Sequence, residues 1–148
     1  MSRPETAIHR RVAALRAGTD PTLIARLESG WAVFGAQQFL RGYCLLLPDP
    51  VVAHLNAFDD ATARGRFLGD MARLGDAVLA ATGAIRINYA MFGNVEPALH
   101  AHVVPRYADE PADLRSAHPW AYDWNAAPEF DATELAPLRA RLRELLGA

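Results

Sequence analysis

Two of the five histidines in this sequence lie one residue apart. His100 and His102 belong to the stretch GNVEPALHAHVVPRY (93–107), in which they alternate with small or apolar residues. Side chains two residues apart in a β-strand share one face of the sheet and are separated by about 6.6 Å along the strand. The pattern therefore predicts two neighbouring imidazoles on one face of a strand, with the intervening apolar residues directed to the core.

Paired imidazoles in this arrangement allow three interpretations. They are two structural side chains that share a sheet face, or two ligands of zinc or another divalent ion. A metal would need a third ligand, and no Asp, Glu or His of the sequence lies at a diagnostic spacing. In the third interpretation, one imidazole attacks an electrophile while the other binds its charge. The spacing alone does not choose among these three.

Composition limits the class of protein. The 148 residues fit a single domain, 1–148, and the net charge of −2 creates no field that would attract nucleic acid or an anionic membrane. Neither is expected as a partner. No run approaches the roughly 18 apolar residues of a membrane helix. Cys44 is the only cysteine, so an intramolecular disulfide is excluded, and we expect a cytoplasmic protein with Cys44 in the core.

Hydrophobic periodicity and capping residues predict the elements that position the histidines. Residues 1–30 are expected to form a helical extension of two helices. The first ends at Gly18, and the second is capped by Asp20 and closed by Ser29-Gly30. The core is expected over 31–110. Its predicted elements are strands at 31–35 and 39–48, a long helix from Asp59 or Asp60 to Gly83, and strands at 85–91 and 99–104, the last ended by Pro105.

Residues 111–148 predict an irregular tail followed by a C-terminal helix. The helix is expected to begin between Thr133 and Pro137 and to bury Leu138, Leu142, Leu145 and Leu146. The polar residues of the long helix, Asp70 among them, predict a solvated face. Because helices and strands are segregated and no strand–helix–strand unit repeats, the order favours the α+β class. We expect an antiparallel sheet with one long helix packed on it and helices at both ends of the chain.

The flanks of the histidine pair resemble a known family. GNVEPALHAHVVPR is similar to the signature of the histidine triad family of nucleotide hydrolases and transferases, His-φ-His-φ-His-φ-φ with φ apolar, which often continues as Pro-Arg. Aligned in this way, His100 takes the central place, His102 the last place, and Ala98 replaces the first histidine. Bacterial members often carry GNVVP before the triad, as GNVEP does here. GYCLLLPDPVVAHL resembles the GH-apolar-P strand of the family, and the resemblance covers roughly 31–110.

The resemblance implies a covalent mechanism with His100 as the catalytic nucleophile. In the family, the central histidine attacks the α-phosphorus of a nucleotide and water then hydrolyses the nucleotidyl-histidine. A neutral imidazole suits this reaction at pH 7, since the ordinary pKa of the group is about 6.5. Its second nitrogen must donate a proton, in the family to the backbone carbonyl of the first triad position. Ala98 retains that carbonyl, so the loss of the first imidazole is expected to alter phosphate or leaving-group contacts without disabling His100.

Further site residues follow from the same resemblance. His102 is expected to donate to the non-bridging phosphate oxygens, and the amides of Asn94 and Asn88 are candidate phosphate or leaving-group contacts. Arg106 is expected to form a surface or interface ion pair. Phe34, Phe39 and Leu47 are candidate neighbours of the base or ribose in a cleft beside the early strands, although each is also explained as core. The tail with Trp120 and Trp124 could close over the leaving group, pack, or anchor a dimer.

The expected function is that of a nucleotide hydrolase or nucleotidyl transferase acting at an α-phosphate. Dinucleoside polyphosphates such as diadenosine tetraphosphate and nucleoside phosphoramidates both fit as substrates. We expect a homodimer, as is usual in the family, and no cofactor, although a polyphosphate can carry Mg²⁺. Two alternatives stay open: a nucleotide-binding protein of the same fold impaired by Ala98, and a metal-binding protein that uses the two histidines.

Overall fold

The sheet of this protein has five antiparallel strands, as seen in a computed structural model that describes residues 5–148. The strands are β1 (Leu23–Arg26), β2 (Gly30–Phe34), β3 (Cys44–Pro48), β4 (Arg86–Ala90) and β5 (Ala101–Arg106), and their order in the sheet is β1-β2-β3-β5-β4. The α-helices of the described residues are α1 (Ala7–Ala17), α2 (Ala61–Thr82), α3 (Ala112–Arg115) and α4 (Ala132–Leu146). This confirms the α+β class and the antiparallel sheet.

The N-terminal extension is helical only in its first half. Residues 1–4 lie outside the described residues, and α1 then ends at Gly18, as predicted. The second predicted helix is wrong, since its residues form β1 and a turn into β2. Asp20 does not cap a helix, because its carboxylate accepts hydrogen bonds from the backbone N–H and hydroxyl of Thr22. Pairing with β2 then satisfies the backbone of this segment.

The long helix α2 packs across one face of the sheet. It begins after Asp60, which accepts a hydrogen bond from the Ala63 N–H, and ends at Gly83, which has a left-handed φ of 72°. Its apolar side packs in one cluster with α4 and with Ala101 and Val103 of β5. The helix is therefore confirmed where it was predicted, and it holds the core face of the histidine strand.

One polar residue of α2 is not solvated, contrary to the prediction. Asp70 is buried, and its carboxylate accepts hydrogen bonds from the Ser29 backbone N–H at 2.9 Å and the Ser29 hydroxyl at 2.7 Å. Ser29 lies in the turn between β1 and β2. The carboxylate can be buried because the two donors of Ser29 satisfy it. The pattern of residues in α2 does not show this contact, because Ser29 is distant in the sequence.

Strand β5 runs from Ala101 to Arg106, so it begins after His100 and passes through Pro105. The prediction that Pro105 ends the strand is wrong. The carbonyl of Arg106 accepts a hydrogen bond from the Ile85 N–H, so the backbone groups of Arg106 face β4. Successive residues of a strand direct their backbone groups to opposite sides, and those of Pro105 therefore face β3. The pairing of β3 with β5 has already ended at Val103. Proline is tolerated there because no ladder donor is required.

The opposite face of the sheet is covered by α1 and by aromatic residues of the tail. Its buried cluster includes Ile8, Val12 and Leu15 of α1, together with Leu45 and Val104 of the sheet. The last helix, α4, begins one residue earlier than the predicted interval, after Asp131. Leu138, Leu142 and Leu146 are buried as predicted, whereas Leu145 is 37% exposed. No helix within residues 5–148 combines the length and apolarity needed to cross a membrane.

Candidate active site

The two histidines lie side by side at the start of β5. Their ring centroids are 5.0 Å apart and the ring planes are inclined by 70°. Leu99, Ala101 and Val103 are buried on the other side, as the alternation predicted. His102 pairs in register with Leu45 of β3 and with Ala90 of β4. His102 on β5 and His100 directly before this strand therefore hold their imidazoles close together.

A backbone carbonyl sets the tautomer of His100. Its Nδ1 lies 2.8 Å from the Ala98 carbonyl oxygen. A carbonyl can only accept a hydrogen bond, so Nδ1 carries the proton and Nε2 of the neutral ring has a free lone pair. This is the contact expected from the resemblance, and Ala98 provides it without a histidine side chain. The Ala98 side chain itself is fully buried and packs in the cluster with α1.

His102 is held in a drier environment. Burial, together with the neighbouring His100 ring, lowers the pKa of His102 from 6.5 to about 4, so this imidazole is neutral at pH 7. Its Nδ1 lies 2.6 Å from the hydroxyl oxygen of Tyr43, which enters from the segment before β3. The Trp120 ring stands edge-on to His102 at a centroid distance of 4.9 Å. A side of the imidazole pair that Tyr43 does not cover is open.

That open side is a cavity of about 450 Å³. Its lining comprises Phe92, Gly93, Asn94, Val95, Glu96, His100, His102 and Trp120. Gly93 has a φ of 66°, which glycine adopts without strain, and the resulting turn carries the exposed Asn94 to the cavity beside His100. Asn94 is thus brought to the predicted site. The carboxylate of Glu96 accepts a hydrogen bond from the Ala7 N–H at the start of α1.

Asn88 is on the same sheet face but in a different place. It lines a neighbouring cavity of about 500 Å³ beside β4, which His100 and His102 do not border. Its side-chain oxygen accepts a hydrogen bond from Arg106 at 2.8 Å. The structure therefore does not bring Asn88 to the cavity of the histidines.

Arg106 forms a buried ion pair, so the prediction of a surface or interface pair is wrong. The side chains of Arg106 and Glu110 are 8% and 3% exposed, and the closest nitrogen–oxygen distance is 2.9 Å. The remaining donors of the guanidinium reach Asn88 and the carbonyls of Leu114 and Ala117. All five N–H groups are used, which leaves none for a phosphate.

The cleft predicted for the nucleoside is filled by side chains. Phe34 and Leu47 are fully buried in the core. Phe39 packs against Tyr43, Tyr122 and Trp124, with a centroid distance of 4.0 Å to Trp124. The aromatic surface open beside the histidines is instead formed by Phe92, which is 58% exposed, and Trp120, whose rings meet edge to face at 4.8 Å.

Three further residues lie at the site without having been predicted from the sequence: Tyr43, Phe92 and Glu96. Phe92 and Glu96 flank residues that were singled out in the GNVEP turn, so proximity to Asn94 was an available signal. Tyr43 stands where the resembling strand pattern has histidine after glycine, and this departure was the only local signal for it. Among residues 5–148, no group of three or more His, Cys, Asp or Glu side chains is placed to hold a metal ion.

Solved structures share this arrangement of strands and helices. A histidine triad protein from Bradyrhizobium japonicum is 22% identical, with 97% of this chain and 99% of that chain covered and a TM-score of 0.74. A histidine triad protein from Marinobacter aquaeolei VT8 is 20% identical over 97% of this chain and 98% of that chain, with a TM-score of 0.76. A hypothetical histidine triad nucleotide-binding protein from Sulfolobus tokodaii strain7 is 15% identical over 92% and 90%, with a TM-score of 0.70.

The chain therefore has the histidine-triad fold. No protein-family model and no curated protein sequence matches the chain. At identities of 14–22%, the likeness to solved structures establishes the fold and leaves the chemistry to the residues of the site.

Proposed function

We propose that this protein is a nucleotide hydrolase or nucleotidyl transferase that acts at an α-phosphate through a nucleotidyl-histidine on His100. The proposed substrates are dinucleoside polyphosphates of the diadenosine tetraphosphate type and nucleoside phosphoramidates. The observation that carries this proposal is the 2.8 Å contact between His100 Nδ1 and the Ala98 carbonyl. The contact places the proton of the neutral ring on Nδ1, so that the Nε2 lone pair of that form is free beside a cavity, as a nucleophilic imidazole requires.

The reaction follows from that tautomer. Nε2 of His100 attacks the α-phosphorus, and the bond from phosphorus to the leaving group breaks. A polyphosphate departs as an anion, whereas the amine of a phosphoramidate takes a proton from solvent. Water then attacks phosphorus, the N–P bond breaks, and the proton of the water passes to solvent, which restores the neutral ring.

His102 and Asn94 are proposed to stabilise charge on the phosphate. His102 is neutral at pH 7 and can donate one hydrogen bond to a non-bridging oxygen, and the Asn94 amide offers another. The base or the leaving group is proposed to lie against Phe92 and Trp120, the aromatic pair that borders this cavity. Ala98 offers no imidazole donor, so the proposed enzyme works with one donor fewer than a complete triad. The covalent step uses a nitrogen nucleophile and is proposed to need no metal.

The proposed functional unit is a homodimer. β4 is an edge strand, and Ile85 beside it and Tyr89 on it are 63% and 42% exposed. An unpaired edge with exposed apolar side chains is a surface that a second copy can cover.

Intact-protein mass spectrometry after mixing with adenosine 5′-phosphoramidate or diadenosine tetraphosphate tests the proposal. Wild type should release AMP and show an adenylate adduct at short times, and His100→Ala should show neither. His54→Ala, which changes an exposed histidine outside the cavity, serves as the matched control and should react like wild type.

Two results would overturn this function. If wild type and His100→Ala both bind AMP and neither turns over, the protein is a nucleotide-binding member of the fold in which Ala98 has removed the activity. If untagged protein instead contains stoichiometric zinc that His100→Ala and His102→Ala each release, the pair is a metal site.

A further inference from the structure

We infer that Tyr43 is a positioning residue that holds His102 in the tautomer with its proton on Nε2, so that His102 presents a hydrogen-bond donor to the phosphate. The role of that donor rests on the function proposed above. The tautomer itself is a property of the protein without substrate, and it can be measured separately.

The first observation is a single buried hydrogen bond. The Tyr43 side chain belongs to a residue that is 3% exposed, and its hydroxyl oxygen lies 2.6 Å from Nδ1 of His102. Within residues 5–148, this nitrogen is the one hydrogen-bonding partner that the hydroxyl has. Buried hydroxyl groups rarely leave their hydrogen without an acceptor.

The tautomer follows from counting donors and acceptors. If Nδ1 of His102 carried the proton, it would donate to the tyrosine oxygen and the tyrosine O–H would have no acceptor. If Nδ1 is unprotonated, the tyrosine O–H donates to it and both groups are satisfied. The proton of the neutral imidazole then resides on Nε2. The depressed pKa of His102 supports this assignment, because it keeps the doubly protonated ring rare at pH 7.

The tyrosine ring cannot turn away from this contact. A methyl group at Gly35 would overlap the Tyr43 ring, so the ring lies directly against that backbone. The Phe39 and Trp124 rings pack on it at centroid distances of 5.3 Å each. Burial also raises the pKa of Tyr43, which keeps its hydroxyl protonated and able to donate.

The two imidazoles therefore have opposite tautomers. The Ala98 carbonyl accepts from Nδ1 of His100 and leaves Nε2 as a nucleophile, whereas the Tyr43 hydroxyl donates to Nδ1 of His102 and leaves Nε2–H as a donor. A nucleophile and a donor are thus placed next to each other without a proton transfer before the reaction.

Long-range ¹H–¹⁵N correlation spectra of ¹⁵N-histidine-labelled protein at pH 7 test the inference directly. In wild type, His102 should show a protonated Nε2 and an unprotonated Nδ1, and His100 the reverse. Tyr43→Phe removes the hydroxyl and keeps the ring, and it should turn the His102 signals into those of a tautomer mixture. Tyr122→Phe is the control, since it removes another aromatic hydroxyl of the same cluster that contacts Glu110, and it should leave His102 unchanged.

Activity gives a second readout. Tyr43→Phe should lower kcat/KM for adenosine 5′-phosphoramidate by about tenfold or more. If wild-type His102 is protonated on Nδ1, or if a folded Tyr43→Phe keeps the wild-type tautomer, the inference is overturned. If the tautomers are as expected and wild type turns over no nucleotide, the proposed function fails while the Tyr43 assignment stands.

Discussion

His100 and His102 are separated by one residue, yet their surroundings differ. His100 borders the open cavity and is anchored by a backbone carbonyl. His102 also lines this cavity, but it lies between Tyr43 and Trp120, and burial lowers its pKa. At the residue scale, the lowered pKa of His102 makes the stability of the folded protein depend on pH.

We expect His102 to make the free energy of unfolding dependent on pH between about 6.5 and about 4. In that interval the unfolded chain binds a proton at His102 and the folded protein does not, so stability is lost as the pH falls. The loss should reach on the order of 1–3 kcal/mol. Urea unfolding from pH 7.5 to 4.5 should show a steeper decline for wild type than for His102→Gln. Equal declines in the two proteins would contradict the pKa of His102.

The Arg106–Glu110 pair gives a second prediction at the residue scale. Arg106→Met should lower the free energy of unfolding by about 3–5 kcal/mol, because it leaves Glu110 as an unpaired buried carboxylate. Arg141→Met, which breaks an exposed pair with Glu144, should cost less than about 1 kcal/mol. Chemical denaturation of both variants measures the difference in the free energy of unfolding. Similar losses would show that the buried Arg106–Glu110 pair stabilises the protein no more than the exposed pair does.

At the scale of elements, the loop between β2 and β3 places Tyr43 against the backbone. The Gly35 N–H donates to the Tyr43 carbonyl at 3.0 Å, and Gln38 bonds the carbonyls of both residues. The segment 39–43, predicted as part of a strand, is instead a loop organised by this buried glutamine. This loop, rather than the sheet itself, brings the tyrosine hydroxyl to His102.

Gly35→Ala should therefore destabilise the protein by about 1–3 kcal/mol, because the added methyl group overlaps the confined Tyr43 ring. It should also disturb the His102 tautomer. Gly65→Ala is the control within α2, where a methyl group meets nothing within 4 Å, and it should stabilise by up to about 1 kcal/mol. Thermal unfolding and the histidine NMR spectrum report the two effects. A fully stable Gly35→Ala would mean that the loop adapts easily.

At the scale of the whole molecule, we expect a homodimer whose interface is formed by the edge strand β4. Light scattering should give wild type a mass of about twice 16.2 kDa. Ile85→Glu should shift it towards a single chain, because a two-fold interface would place like charges close together. Leu145→Glu, on the exposed side of α4, should remain dimeric. A monomeric wild type, or a dimer unaffected by Ile85→Glu, would exclude this surface.

Features that depend on neighbouring residues were predictable from the amino-acid sequence. The period of Phe67, Leu74 and Val78, with caps at Asp60 and Gly83, predicted α2 to within a residue or two. The alternation around His100 and His102 predicted which side chains enter the core. These predictions succeed because capping hydrogen bonds and hydrophobic periods involve residues that are close together in the sequence.

Features that depend on residues distant in the sequence became visible only in the folded protein. Residues 23–26 became a strand because β2 lies beside them, and Asp70 and Arg106 became buried because a turn and the tail supply their partners. The open cavity lies beside Phe92 and Trp120 and not in the predicted cleft, because Tyr122 and Trp124 of the tail pack against Phe39 there. Tyr43 meets His102 across 59 residues of sequence. Burial and hydrogen bonding over such separations depend on how the whole chain packs, which no local pattern of residues encodes.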